Sequence, residues 1–123
     1  GDKEVRLRVI AVDTEDEAVD GVFRALADKS RRALLDTLFA RNGQTLGELS
    51  EGRGMTRQAV TKHLDVLESA NLIATVKRGR EKLHYLNPAP IHEIGDRWIS
   101  KYERTRLEAL FDLKKALEND NGE

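Results

Sequence analysis

The stretch Met55-Thr56-Arg57-Gln58-Ala59-Val60-Thr61-Lys62-His63-Leu64-Asp65-Val66-Leu67 decides the fold of this chain. Val60, Leu64 and Leu67 recur at helical spacing and predict an amphipathic α-helix with one apolar stripe. Thr56 precedes the stripe and is a favoured N-cap, because its hydroxyl can accept a backbone N–H of the first turn. The opposite side carries amide, hydroxyl and cationic groups, which are types that bind base edges and phosphates. A polar helix face is more often only a solvated surface, so the flanking sequence has to decide.

The residues before this stretch predict three further helices. Helix 1 begins at a capping box at positions 14–17, and helix 2 begins at Ser30 and ends at Asn42-Gly43. A second capping box at positions 45–48 begins a short helix 3, which the glycines of Gly52-Arg53-Gly54 separate from helix 4. Two short helices joined by a tight turn predict a helix-turn-helix, although the αα-hairpins of helical bundles look similar. The expected apolar faces are Val19, Val22, Phe23 and Leu26 in helix 1, Ala33, Leu34, Leu35, Leu38 and Phe39 in helix 2, and Leu46 and Leu49 in helix 3.

The residues after helix 4 change from a helical to an alternating hydrophobic period. Asn71 is an expected left-handed C-cap, and two alternating runs then flank a basic turn at positions 77–81. This pattern predicts a β-hairpin, and a hairpin directly after a recognition helix is the wing of a winged helix-turn-helix. Its cationic tip can contact phosphates or enter a minor groove, and the alternative is a solvated charged turn.

Pro88 and Pro90 end the second strand and introduce a last helix from about Ile91 to Leu117. A helix of some 27 residues is about 40 Å long, which exceeds what a small domain needs to cover its core. The remaining apolar surface therefore predicts a symmetric dimer, and the alternative is that the first half packs back on helices 1 and 2. Its apolar residues are Ile91, Ile94, Trp98, Tyr102, Leu107, Leu110, Phe111, Leu113 and Leu117.

The composition limits the possible functions. The 123 residues suit one domain of moderate core, and the net charge is −1. Positions 53–85 nevertheless carry seven basic and three acidic side chains, so a basic module lies within an acidic chain. The chain has no cysteine, no apolar run of about 20 residues and no signal-peptide pattern, which predicts a cytoplasmic location. No nucleophile–base spacing or phosphate-cradling loop is present, so neither an enzyme nor a cofactor is expected.

The predicted organisation is mostly α with a small β-hairpin wing: four helices, a two-stranded wing and a long C-terminal helix. Residues 1–13 are expected to form an arm or short strand, and residues 14–87 the winged helix-turn-helix. Within that domain the recognition helix covers about 56–69 and the wing about 72–86. Residues 88–118 are expected to form a dimerisation helix, and residues 119–123 a disordered tail.

Four blocks of the chain resemble the ArsR-type winged-helix repressors. The run FRALADKSRRALL at 23–35 is similar to their "ALADPTRRAIL" opening, and TRQAVTKHLDVL at 56–67 to their "S-x-x-x-V-S-x-H-L-x-x-L" recognition helix. The run ESANLI at 68–73 resembles "EAGLV", with Asn71 in place of glycine, and RGREKLHYL at 78–86 resembles the "REGRxVYYxL" wing. The resemblance extends from Val19 to Leu86 and implies a DNA-binding transcriptional regulator.

The resemblance also implies a homodimer whose recognition helices enter the major grooves of a near-palindromic operator, with half-sites about one helical turn apart. Helix 1 and the last helix would pair across the two-fold axis. His63 borders the apolar stripe, so a packing role is as reasonable for it as a phosphate contact. The implied DNA contacts are Thr56, Arg57, Gln58 and Thr61 for bases, Lys62 and His63 for phosphates, and Lys77, Arg78 and Arg80 in the wing. The implied dimer contacts are Val19, Phe23, Trp98, Tyr102, Leu110 and Phe111.

The chain departs from the family where its founding members sense metal. Thr45 and Gly47 occupy the positions of the sensing cysteines, and His92 and Asp96 are a single pair of possible ligands on the last helix. Two ligands do not make a tetrahedral zinc site, so no metal is expected. Arg53 replaces an apolar residue, which predicts a looser end of helix 3 or a side chain turned towards DNA.

Two functions follow from the sequence. The first is a sequence-specific transcriptional regulator, expected to act as a repressor. Its expected partners are double-stranded DNA and a second copy of itself. The alternative is a winged-helix module that binds a protein through the same surface. A small-molecule effector is compatible with either function, and Trp98 and Tyr102 could line its pocket, although core or dimer packing is the commoner role for such a pair.

Overall fold

The computed structural model describes residues 13–121, which form five helices and one antiparallel two-stranded sheet. This architecture confirms the predicted fold class. The chain divides into two compact units, one extending to Pro90 and the other beginning at Ile91. The predicted N-terminal arm lies outside the described residues. The elements are α1 (Asp13–Leu26), α2 (Lys29–Ala40), α3 (Leu46–Ser50), α4 (Arg57–Ser69), β1 (Ile73–Arg78), β2 (Glu81–Leu86) and α5 (Ala89–Asn121).

The core of the first unit lies between its four helices and the base of the hairpin. Each helix contributes the apolar positions that its periodicity predicts, because residues three and four apart share one face. Phe23 of α1 and Phe39 of α2 are exceptions, since 49% and 79% of them are exposed. The exposure of Phe39 has a geometric cause. It lies beyond the arc of α2 that faces the core, so the predicted stripe is too wide by this residue. The fully buried large side chains are Leu34, Leu38, Leu49, Val60, Leu67, Leu72 and Ile73.

The predicted helix starts are correct for α3 and α4 and wrong for α1 and α2. Helix α1 begins at Asp13, so Thr14 lies within its first turn instead of at the N-cap. The N-cap of α2 is Asp28, not Ser30, and its Oδ1 accepts the Arg31 backbone N–H at 3.0 Å. This bond holds the pKa of the Asp28 carboxyl below its ordinary value. Partial desolvation acts in the opposite direction but is the smaller effect.

Both predicted caps in the helix-turn-helix are confirmed. Thr45 and Glu48 form a reciprocal capping box in α3, with the Thr45 N–H donating to the Glu48 carboxylate at 2.9 Å. That N–H lowers the pKa of Glu48, and Arg41, whose Nη2 lies 3.6 Å from its Oε2, acts in the same direction. At the start of α4, the Thr56 Oγ1 accepts the Ala59 N–H at 3.0 Å.

Two residues with positive φ shape the path from α4 through the hairpin. Asn71 follows α4 with a φ of 66°, which confirms the predicted left-handed position. Gly79 has a φ of 62° in the two-residue turn between the strands, and glycine at the first turn position is typical of a type II′ hairpin. The register pairs Ile73 with Leu86 at the base and Arg78 with Glu81 next to the turn.

Helix α5 has 33 residues and is therefore about 50 Å long. It begins at Ala89, two residues earlier than predicted, because Pro90 is tolerated in a first helical turn. It ends at Asn121, so positions 119–121 are helical and the prediction of a disordered tail is wrong for them. Charged residues interrupt its apolar positions, and no helix among residues 13–121 is long and apolar enough to cross a membrane.

Candidate nucleic-acid interface

The first turns of α4 form the exposed part of the helix-turn-helix. Gly52 and Gly54 in the turn between α3 and α4 both have positive φ, which allows the chain to reverse within a few residues. Arg57, Gln58 and Lys62 are exposed, as the sequence predicts. Thr61 is half-buried, and the oxygen of the Thr56 hydroxyl is engaged in the helix cap. The hydroxyl hydrogen remains able to donate to a ligand.

Arg53 is folded into the protein and is neither loose nor turned outward. Its Nε donates to the Leu49 carbonyl and its Nη2 donates to the Thr37 hydroxyl, which in turn donates to the Ala33 carbonyl at 2.9 Å. The side chain therefore joins the end of α3 to the middle of α2. The prediction of a looser or DNA-facing end of α3 is wrong, because the guanidinium donates to one acceptor within α3 and to another 16 positions earlier in α2.

His63 faces α2 and the end of α1. Its Nδ1 lies 3.4 Å from Nη1 of Arg31, while the same guanidinium donates to the carbonyls of Ala25 at 2.8 Å and Arg24 at 3.0 Å. Because a guanidinium only donates, Nδ1 accepts, and the imidazole proton is assigned to Nε2. This half-buried contact favours the packing role over the phosphate contact.

A groove of about 530 Å³ lies between the start of α3, the face of α4 and the wing. Arg57 and Arg80 both line it, from the recognition helix and from the tip of the hairpin respectively. Asp65, Glu68 and Glu81 also line it, so the groove has mixed charge. The other lining residues come from the start of α3, from α4 and from β2: Thr45, Leu46, Gly47, Thr61, Leu64, Lys82 and His84.

Glu68 ties the wing to the recognition helix. Its Oε2 accepts from the Thr75 hydroxyl at 3.3 Å, and its Oε1 accepts from the Lys82 ammonium at 3.4 Å. The side chains of Lys82 and Glu68 are 49% and 38% exposed, so solvent screens the pair and its contribution is at most about 1 kcal/mol. Lys82 is not among the predicted site residues, because a cation beside a hairpin turn gives no signal of a partner 14 residues earlier.

The predicted cations of the wing do not share one face. Lys77 and Arg78 are consecutive in β1, so their side chains project to opposite sides of the sheet. Arg78 lines a second, smaller depression with Gly43 and Thr45, whereas Lys77 pairs with Lys82 on the side of α4. Both are exposed, and so is Arg80 in the turn.

The base of the wing is joined to the loop between α2 and α3 by a buried polar pair. Gln44 and His84 form an isolated antiparallel bridge, with the His84 N–H donating to the Gln44 carbonyl at 2.9 Å. The imidazole Nδ1 also lies 2.8 Å from that carbonyl oxygen and therefore donates to it. The Gln44 amide donates to the carbonyls of Arg41 and Thr37 at the end of α2. The wing is thus a rigid extension of the helical core at its base.

The predicted dimer contacts lie on α1 and α5. In α1, Val19 is half-buried and Phe23 is 49% exposed. In α5, Trp98 is half-buried and has the Arg97 guanidinium carbon 5.4 Å from its ring centre. The remaining predicted contacts, Tyr102, Leu110 and Phe111, are all more than half exposed.

Known proteins with this arrangement are regulators of transcription. The family model described as a helix-turn-helix domain matches residues 26–76. The HTH-type transcriptional regulator YuzN of Bacillus subtilis (strain 168) is 38% identical over 86 residues, which are 65% of this chain and 94% of that protein. The transcriptional repressor SdpR of the same organism is 27% identical over 75 residues, covering 61% of this chain and 82% of SdpR.

Solved structures specify the family. An ArsR-like transcriptional regulator from Rhodococcus sp. RHA1 superimposes with a TM-score of 0.65 and 30% identity, over 78% of this chain and 92% of that one. The chain belongs to the ArsR family. Like other members, this ArsR-family regulator carries its helix-turn-helix in α3 and α4 and its wing in β1 and β2. The regulators of this family are not enzymes.

Four residues stand where the resemblance places metal ligands, two in or beside α3 and two on α5. Thr45 serves as the N-cap of α3, and Gly47 lies within that helix. His92 and Asp96 are one turn apart on α5. Within the described part of the chain, no three His, Cys, Asp or Glu side chains are grouped so that they could hold a metal ion.

Proposed function

We propose that this ArsR-family protein is a sequence-specific DNA-binding repressor that acts in the cytoplasm as a homodimer. One observation carries the proposal: the start of α4 and the wing tip present Arg57 and Arg80 around a single groove, in a chain whose net charge is −1. Positions 53–85, which include both arginines, carry seven basic and three acidic side chains. This excess of cations fits a polyanionic partner, although carboxylates also line the groove. The likeness to a named repressor supports the direction of regulation.

The exposed residues of α4 would read the operator in the major groove. The Gln58 amide can both donate to and accept from adenine, and the Arg57 guanidinium can donate twice to guanine. Thr61 offers a hydroxyl and a methyl group. Thr56 and Lys62 would contact the backbone beside them. The wing cations Lys77, Arg78 and Arg80 would contact phosphates, and His63 would support α4 from behind through Arg31.

Residues 88–118 would form the dimerisation segment, together with α1, and residues 14–87 the DNA-binding domain. The exposed apolar side chains of α5 support this, because a helix with so much apolar surface is stabilised by covering it. A two-fold dimer would place two copies of α4 about one helical turn of DNA apart, which predicts a near-palindromic operator.

The second candidate is a module that binds a protein through the same surface. Protein interfaces concentrate their binding energy in aromatic and large apolar anchors. The recognition face instead carries Arg57, Gln58 and Lys62, which favours DNA.

Selection of bound sequences from a random double-stranded DNA pool tests the proposal. We expect enrichment of a near-palindrome with half-sites about one helical turn apart. Binding of the selected site should then weaken by about 10³-fold or more between 50 and 200 mM salt, because several phosphate contacts release counterions. A pool without enrichment, or a flat response to salt, would favour the protein-binding alternative.

A further inference from the structure

Gly47, like Gly21 and Gly95, lies in a helix and has no positive φ, but it alone of these three has a close neighbour at its Cβ position among the described residues. Gly43, Gly52, Gly54 and Gly79 all have a positive φ, which explains why glycine is suitable there. Gly47 does not have a positive φ and is the second residue of the five-residue helix α3. Glycine is unfavourable inside a helix compared with alanine. The backbone conformation therefore gives no reason for a glycine at this position.

The space beside Gly47 is filled by the recognition arginine. A Cβ atom placed on Gly47 would lie 3.0 Å from Nη2 and 3.5 Å from Cζ of Arg57, closer than ordinary van der Waals contact for the nearer atom. All the nearest atoms within 4 Å belong to this one guanidinium. Gly21 in α1 offers a contrast, because a Cβ placed there would meet no atom of residues 13–121 within 4 Å.

The Arg57 side chain packs against this position. Arg57 is the first residue of α4, and its guanidinium lies back across the turn against the first part of α3, on the wall of the groove that Arg80 lines from the other side. Its guanidinium takes part in no hydrogen bond or ion pair between described residues. A planar guanidinium that is held by packing while its donors stay free loses little conformational entropy when it binds.

We propose that Gly47 is a positioning residue for DNA recognition: by lacking a side chain it seats the Arg57 guanidinium and so selects the base or phosphate that Arg57 contacts. The inference rests on the proposed function and assigns a role to a residue outside the recognition helix. A methyl group at position 47 would displace the guanidinium by a few tenths of an ångström or more, because the neighbouring atoms belong to the end of a flexible side chain and not to the backbone.

The test compares Gly47→Ala, Arg57→Ala and the double variant on the operator obtained by selection. We expect Gly47→Ala to lower the ratio of specific to random-DNA affinity by about 5-fold or more, because one directed contact is lost or misplaced. In the Arg57→Ala background the same change should have no effect on that ratio. Gly21→Ala is the matched control, since it makes the same substitution within a helix where the methyl group meets no neighbour.

Two further measurements separate positioning from misfolding. The melting temperature of Gly47→Ala should equal or exceed that of the unchanged protein, because alanine favours the helix. In the DNA-free protein, the heteronuclear NOE of the Arg57 Nε–H should fall in Gly47→Ala and stay constant in Gly21→Ala.

Three outcomes would overturn the inference. The first is unchanged specificity in Gly47→Ala, and the second is an equal loss of specificity with and without Arg57. The third is an unchanged NOE of Arg57. If the unchanged protein selects no sequence from the pool, the proposed function itself is wrong. If it selects an operator and Gly47→Ala binds that operator with the same specificity, only the inference about Gly47 is wrong.

Discussion

At the scale of single residues, the cations of this protein divide into structural and exposed groups. Arg31 and Arg53 donate to backbone carbonyls and hydroxyls inside the first unit, whereas Arg57 and Arg80 are exposed. A guanidinium with internal acceptors contributes to the folded structure, and one without them is available to a ligand. Charge alone therefore does not identify the candidate DNA contacts in this chain. The hydrogen-bond partners of each arginine are needed to separate structural arginines from those available to a ligand.

Gln58→Ala should relax sequence preference. Gln58 is exposed on the first turn of α4, and the loss of a bidentate base contact costs about 1–3 kcal/mol on the selected operator. Titration of the operator and of random DNA measures the difference. Arg80→Ala is the control and should weaken both DNAs alike, since a wing phosphate contact carries no sequence information. An equal loss on both DNAs for Gln58→Ala would show that α4 presents another face.

Asp28→Asn should lower the free energy of unfolding at neutral pH more than at low pH. The Arg31 N–H lowers the pKa of Asp28 in the folded state, so its charge stabilises the fold above the unfolded-state pKa of about 4. That stabilisation is lost as the pH falls through the folded-state value. Urea unfolding at pH 7 and below pH 3 measures the change.

Asp36→Asn is the control for that experiment, because Asp36 is an exposed carboxylate of the same helix away from its cap. Its substitution should alter stability little at either pH. A loss of stability in Asp28→Asn that is the same at both pH values would assign the effect to cap geometry instead of charge.

At the scale of elements, the locally determined features could be predicted from the sequence. The caps at Thr45 and Thr56 each depend on a residue three positions later, so the sequence pattern contains the whole interaction. The start of α2 could not be assigned in this way, because Asp28 and Ser30 are both good caps. Packing of the nearby Arg31 against the end of α1 is the kind of tertiary contact that decides between them.

Contacts between distant elements could not be predicted. Arg53 lies 16 positions from Thr37, and His63 lies 32 positions from Arg31. No periodicity in the sequence brings these pairs together, since their meeting depends on how α2 packs against α3 and α4. The exposed residues of the recognition helix were predictable because exposure follows from the helix period alone.

Arg53→Ala should destabilise the fold without changing how DNA binding depends on salt. The variant removes two hydrogen bonds of a half-buried cation that join α3 to α2, at a cost of about 1–3 kcal/mol. Denaturant unfolding measures the stability, and a salt series on the operator measures the slope of affinity. Lys62→Ala is the control: it should leave the stability nearly unchanged and reduce the salt slope of operator affinity. A smaller salt slope in Arg53→Ala would indicate that Arg53 reaches a phosphate.

At the scale of the whole molecule, two units have different surfaces. The first unit has a core formed by its helices and hairpin. The second is a single helix whose large apolar side chains are mostly exposed. Around α5, Tyr102, Leu110 and Leu113 lie on one side at about 100° per residue, while Leu107 and Phe111 lie on another. The helix thus has one long apolar stripe and one shorter apolar patch.

Leu110→Glu should convert the proposed dimer to a monomer. A carboxylate in the long stripe would be buried at the two-fold interface without a partner, which costs several kcal/mol. Sedimentation equilibrium measures the change in mass, and affinity for a full operator should fall towards that for a half-site. Glu108→Lys changes an exposed residue on the polar side of the same helix, away from both apolar sides, and should leave the mass unchanged. If the Leu110→Glu protein stays dimeric, the dimer interface does not include this stripe.

The bond between Gln44 and His84 also bears on the order of folding. The two residues are 40 positions apart, so their pairing closes a loop that contains α3, α4 and most of the hairpin. Closing a loop of that length costs chain entropy before the contact returns any stability, whereas helices and the hairpin form from near neighbours. The bridge is therefore expected to form late, after both helices of the DNA-reading motif. A folding chain would therefore form its recognition helix before it forms the Gln44–His84 bridge that fixes the base of the wing.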